Sequence, residues 1–318
     1  MIHNNLKLSA AIAMTSLLAA CGGGSDSAAT GQVSIGITDA PATEFSDVTI
    51  AFTGIALKPA GGQWIEFTFD NTKTWNLLDL TGGLSEPLIT NEEVPAGEYS
   101  ELRLKIDTDN SYVALSDQPD VQLTLAVPSG EQSGLKLKGD LIVAADTTTA
   151  FTIDFDVAKS IVNPQGNSLA DYLLKPSLRL LNNLEVGSIS GTVDYATINS
   201  TRGGDAGLTD CAVGYEGAVY VFAGADVTPS DLNIADDDTS NDPLMVLPVS
   251  DADNDGLYEY TAAFLTAGTY TLSYSCQLDD NEITDTALDT NPLQFEGTQN
   301  VTVIVNEDVP AETIPLAP

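Results

Sequence analysis

At 318 residues the chain is long enough for two domains, and its 43% hydrophobic content excludes a wholly disordered polymer. Eleven Lys and Arg face 46 Asp and Glu, and the net charge of −35 excludes nucleic acid and anionic lipid as direct partners by repulsion. The single histidine is His3, inside an N-terminal leader, so a mature chain lacks the imidazole needed for Ser-His-Asp or Cys-His catalysis, His-ligated zinc or haem.

The leader occupies residues 1–20: Lys7 in a short polar start, an apolar run from Leu8 to Ala20, then Cys21. That run is too short to span a bilayer comfortably and sits at the N-terminus, which predicts a signal peptide. Its end, Leu18-Ala19-Ala20-Cys21, resembles the bacterial lipobox, in which cleavage precedes a Cys that carries diacylglycerol and an N-acyl chain. An ordinary signal cut beside a stray Cys is the alternative. The tether that follows, Gly22-Gly23-Gly24-Ser25 within residues 21–30, favours lipidation of Cys21. Several acyl chains at ~0.8 kcal/mol per buried methylene hold a protein stably in a membrane. Gly rather than Asp after Cys21 resembles lipoproteins passed on to the outer membrane, on either its periplasmic or its surface face.

From residue 31 the pattern is β throughout, and an all-β fold of two β-sandwiches is expected. Strands are predicted at Val33–Thr38, Val48–Leu57, Trp64–Phe69, Leu102–Ile106, Val121–Val127, Phe151–Val157 and Pro176–Leu184, with turns at Gly61-Gly62, Gly82-Gly83 and Pro128-Ser129-Gly130. A helical turn is expected only at Ser168–Leu174. A second block, 186–306, is predicted to hold strands Ser188–Tyr195, Ala218–Ala223, Leu244–Val249, Leu257–Leu265, Thr269–Cys276 and Gln299–Val305. The boundary near 185 follows from charge: residues 22–186 carry 23 acids and 9 bases, whereas 187–318 carry 23 acids and only Arg202. Residues 307–318, with three prolines, are expected to be an irregular tail. One element recurs: Val94-Pro-Ala-Gly-Glu-Tyr99 and Leu265-Thr-Ala-Gly-Thr-Tyr270 each place Gly in a turn and Tyr at the start of a strand.

With Cys21 lipidated, Cys211 and Cys276 remain, and an even pair in an exported chain predicts one disulfide over two free thiols. Period two puts Cys276 on the face of Leu272 and Tyr274. The stretch Asp251-Ala-Asp-Asn-Asp-Gly256 spaces Asp251, Asp253 and Asp255 as calcium loops begin, with Gly at the sixth position. The twelfth position is Ala262 rather than a bidentate Glu, and strand patterns flank the run. Asp255-Gly256 is also a common pair joining two strands. A hairpin turn is therefore expected first, with calcium weakly bound at most and no other cofactor.

Four stretches resemble the blocks of one family of exported bacterial lipoproteins, the domain of unknown function numbered 4382. They are Ile37-Thr-Asp-Ala-Pro41, Val94-Pro-Ala-Gly-Glu-Tyr99, Phe155-Asp-Val-Ala-Lys-Ser160 and Tyr172-Leu-Leu-Lys-Pro-Ser-Leu-Arg179, in order over about 31–183. The resemblance implies an envelope location and no particular activity. Read from chemistry, Asp39 can cap the turn leaving the first strand, while Lys175-Pro176 and Arg179 suit the start and outer face of a last one. The second block is similar to transthyretin-like and collagen-adhesin B-type sandwiches, which implies a spacer or a module binding carbohydrate or an envelope protein. Together these readings predict a non-catalytic lipoprotein anchored in the outer membrane for binding, adhesion or envelope structure. Two alternatives are a polysaccharide hydrolase using a carboxylate pair, which has little aromatic platform beyond Trp64 and Trp75, and an accessory subunit of an envelope complex.

Overall fold

The computed structural model describes residues 29–40, 44–128, 134–164, 170–202, 211, 215–231, 242–277 and 293–316. Cys21 lies outside them. Their strands are β1 (Thr30–Ala40), β2 (Phe45–Pro59), β3 (Ile65–Asn76), β4 (Glu86–Pro95), β5 (Gly97–Leu115), β6 (Gln118–Ala126), β7 (Leu135–Val143), β8 (Thr148–Asp156), β9 (Ile161–Val162), β10 (Tyr172–Leu174) and β11 (Leu178–Asn182). They continue with β12 (Val186–Val193), β13 (Ala218–Ala223), β14 (Met245–Pro248), β15 (Tyr258–Thr266), β16 (Gly268–Ser275), β17 (Glu296–Val303) and β18 (Asp308–Pro310). Two helices interrupt them, α1 (Val157–Ser160) and α2 (Tyr195–Arg202).

The first eleven strands form two sheets, one ordered β11-β8-β1-β4 and the other β3-β2-β5-β6-β10-β9 with β7 alongside β5. Their facing sides merge into one core, where Ile35, Ile37, Phe52, Leu104 and Phe155 are all 1% exposed or less. Strict alternation drives this: Leu102 and Leu104 point in, while Glu101, Arg103 and Lys105 point out. The later strands form a three-stranded sheet, β15-β12-β18, and a four-stranded one, β14-β13-β16-β17, around a second core of Ile189, Val221, Leu272 and Tyr274. β13 is buried on both faces, because Tyr220 and Phe222 pack edge-to-face on Phe295 on the side away from that core. The described fold is all-β and built as sandwiches.

The repeated element makes the same crossing in each sandwich. A single alanine, Ala96 or Ala267, carries the chain from one sheet to the other, from β4 to β5 and from β15 to β16. In each case the buried tyrosine donates back four residues, Tyr99 Oη to Pro95 O (2.7 Å) and Tyr270 Oη to Thr266 O (2.8 Å). The bond fixes the angle at which one sheet leaves the other.

Several expectations need correction. No helical turn forms at Tyr172–Leu174, whose residues instead pair parallel with β6 and antiparallel with β9. The strand expected through Tyr195 stops at Val193, and α2 begins where Asp194 accepts from Thr197 N (3.0 Å) and Thr197 Oγ1 (2.7 Å). The tail is irregular only in part. β18 runs parallel to β12, Asp308 accepts from Ser188 and Ser190 at 2.7 Å each, and Ile314 is fully buried in the second core. Pro310 ends an edge strand, where no ladder N–H is required of it.

Candidate functional sites

The acidic loop connects β14 and β15, which lie in different sheets, so it turns a corner between layers and does not close a hairpin within one sheet. Only Ser250 and Glu259 bridge across its base. Its carboxylates already accept backbone donors: Asp251 from Asp255 N (3.0 Å) and Gly256 N (3.2 Å), Asp253 from Asp255 N (3.2 Å), and Asp255 from Leu257 N (2.8 Å). Asn254 and Gly256 take the left-handed conformations that such a turn requires, at φ 62° and 94°. One oxygen from each of Asp251, Asp253 and Asp255 lies within 4.8 Å of the others, with Asp253 and Asp255 exposed. Ala262, in the position where a calcium loop would offer its Glu, is fully buried in β15 opposite Ile189. The local chemistry is that of a hydrogen-bonded corner.

Cys211 and Cys276 are bridged, with Cα atoms 4.8 Å apart and 65 residues between them in sequence. Cys276 is fully buried in the second core with Leu272 and Tyr274, the face that alternation assigns to it. The bridge ties the segment ahead of β13 to the end of β16.

Three of the four family-like blocks meet at one end of β1 and β8. Asp39, 5% exposed, accepts from Val157 N at 3.1 Å, so it caps the first turn of α1 from 118 residues away, while the turn after its own strand lies outside the described residues. Asp156 accepts from Lys159 N (3.0 Å) and lies 3.5 Å from Lys159 Nζ. Burial raises the Asp156 carboxyl above its usual range, and the Lys159 charge opposes that shift. Ser160 Oγ receives Ser177 N (2.8 Å), which staples the last block to α1. Arg179 projects from β11 and pairs through Nε and a terminal nitrogen with Asp154, whose side chain is 2% exposed.

This constellation also forms the seam between the sandwiches. Lys159 Nζ donates to Pro243 O at 3.0 Å, and a small gap between the layers is lined by Asp39, Asp154, Gly83, Met245 and Phe264. Phe264 occupies a bulge of β15 with φ of 55°, an unfavourable angle for an aromatic residue. A larger cleft of about 500 Å³ beside it is walled by Leu78 and Thr81 of the first sandwich and by Leu247, Val249 and Glu259 of the second. The sequence singles out Asp39 as a turn cap and Arg179 as an outer-face residue, but not the seam they help build. The carboxylates here cap, pair and staple, and two of them, Asp39 and Asp154, line the same gap.

Fold and nodes together define an all-β chain of paired sandwiches whose sequence blocks act as structural fasteners. Residues 30–176 match the model of the family described as Domain of unknown function (DUF4382). No curated protein matches the chain significantly. Among solved structures, it is similar to a "Putative cell adhesion protein" from Parabacteroides distasonis at 12% identity and a TM-score of 0.22, over 62% of this chain and 50% of that one. The chain thus spans half the length of that protein. It is also similar to GBS52, the minor pilin of Streptococcus agalactiae, at 9% identity and a TM-score of 0.20, over 90% of this chain and 97% of that one. The fimbrial anchor protein Mfa2 from Porphyromonas gingivalis is 11% identical over 77% of this chain and 78% of that one, with a TM-score of 0.17. Likenesses this distant transfer no residue role and no partner.

Proposed function

We propose that the chain is a non-catalytic lipoprotein of the bacterial outer membrane whose β-sandwiches project from the membrane for binding, adhesion or envelope structure. The carrying observation is the Leu18-Ala19-Ala20-Cys21 motif joined by a Gly-rich tether to an all-β body. The order anchor, Gly-rich spacer, β-sandwich module suits a protein that presents a surface at a distance from the bilayer. Labelled palmitate fed to cells is expected to enter the wild-type chain and not a Cys21→Ala variant, and the variant should leave the membrane fraction. Equal labelling, or equal release of both into the soluble fraction, would overturn the anchor. Hydrolysis is not expected: turnover of a polysaccharide that vanishes on changing a single Asp or Glu would favour the enzyme reading instead.

A further inference from the structure

Five of the chain's eleven Lys and Arg lie on the outward face of one sheet of the first sandwich, in a protein whose net charge is −35. Register builds the patch. Across β2, β5 and β7, Lys58 stands beside Glu101 and Glu101 beside Lys138, while in the next row Arg103 stands beside Lys136. Lys105 lies one row further along β5. The alternate residues Leu57, Leu102, Leu104, Leu135 and Leu137 are buried, so all five cations point away from the core. At a corner of this grid Trp64 has the Arg103 guanidinium 4.1 Å from its ring centre and Lys58 Nζ at 5.6 Å.

The two carboxylates of the grid are already engaged, Glu101 with Arg103 Nε (2.6 Å) and Glu66 with Lys105 Nζ (2.7 Å). Among the described side chains of the grid, five cations stand against these two carboxylates. Lys58 donates only to Gly62 O (2.8 Å), and Lys136 and Lys138 are exposed with no ion-pair partner among the described residues. Asp140 stands in the bulge next to Lys138 and Glu98 lies beyond it, and these acids limit the patch in that direction. In so acidic a chain, cations gathered on one sheet without an ion-pair partner among the described residues call for an anion from outside.

We propose that this face binds a linear acidic polysaccharide bearing carboxylates on its sugars, which deepens the reading of the chain as an envelope binding protein. The surface is a flat grid with rows roughly 5 Å apart across strands and roughly 7 Å apart along them, which suits a polymer carrying charges at intervals. A protein partner would need an apolar centre, and Trp64 is the one aromatic of the grid. A second copy of the chain, like duplex nucleic acid with a charge every ~1.7 Å, meets long-range repulsion from the whole molecule. A sparsely charged glycan meets less of it, and Arg103 and the two free lysines supply donors for its carboxylates.

The test is retention of the full-length chain on immobilised polygalacturonate, with uncharged dextran as control and with a Lys136→Glu/Lys138→Glu variant. At low ionic strength the wild type should be retained on polygalacturonate alone and elute as salt rises, and the variant should bind about tenfold more weakly. Passage of the wild type through both columns, equal retention of the variant, or equal retention on dextran would each overturn the proposal. So would salt-reversible dimers in sedimentation, lost in the variant, without retention on the glycan. A Cys21→Ala chain should be retained like the wild type, so failure here and failure of the lipid anchor are read separately.

Discussion

Asp154 and Arg179 show how a single pair can hold a seam. The Asp154 side chain is 2% exposed and depends on a guanidinium that is itself only one-third exposed, at 33%. Removing the arginine strands a buried charge, which costs about 3 kcal/mol, whereas removing both partners restores part of that loss. Arg179→Leu is therefore expected to lower the urea midpoint clearly, and Arg179→Leu/Asp154→Leu to be more stable than Arg179→Leu alone. A single variant as stable as wild type would show that the pair is idle. Asp156 acts through its own proton. Its carboxyl is raised by burial, so the folded state holds its proton to higher pH than the unfolded chain does. The stabilisation it gives is present in acid and is lost as pH rises from the usual carboxylate value through the raised one. Asp156→Asn, which keeps an oxygen to cap Lys159 N, should flatten stability over that window relative to wild type. Urea midpoints measured from pH 3.5 to 7 check it, and parallel profiles would refute it.

At the scale of elements, legibility followed local periodicity. β5 and β8 are readable because apolar and polar residues alternate along them, although in β8 the polar face, with Thr152 and Asp154, is buried as well. β7 alternates just as well, Leu135 and Leu137 against Lys136 and Lys138, but Gly139-Asp140 looks like a turn and sits instead at a bulge opposite β5. β4 was obscured by Asn91-Glu92-Glu93 and two prolines, which an edge strand with Asn91 at φ 52° tolerates. α2 has little helix-forming sequence, and its only signal was the Asp194 cap with Ile198 buried beneath it. The disulfide could be inferred from a count of cysteines, whereas the seam could not, because Asp39 reaches Val157 only through the parallel pairing of β1 with β8. The bridge closes a loop of 65 residues, worth ~4 kcal/mol in the chain-entropy model. Replacing Cys211 and Cys276 by Ala should lower the melting temperature of the second sandwich, and an unchanged melt would show that the bridge constrains nothing.

The acidic corner matters most at the scale of the whole molecule, because it lies within the 23 acids that residues 187–318 balance with one arginine. Two effects of calcium have to be separated. Screening by any salt reduces self-repulsion among these charges and should raise the melting temperature generally. Specific binding would draw on the lone pairs that Asp251, Asp253 and Asp255 do not already give to the backbone N–H groups shaping the corner. With few ligands and no bidentate Glu, the expected dissociation constant is nearer ~1 mM than ~1 μM. A tenfold excess over such a constant stabilises by only about 1.4 kcal/mol. The measurement is thermal melting in 10 mM calcium chloride against sodium chloride of equal ionic strength. We expect the two curves to differ by a few degrees at most, and both to lie above the curve at low salt. A large calcium-specific shift, abolished by Asp253→Asn with Asp255→Asn, would make the corner a metal site first and a turn second. A melting temperature indifferent to sodium chloride would show that the acidic surface is spread thinly enough to impose no cost on folding.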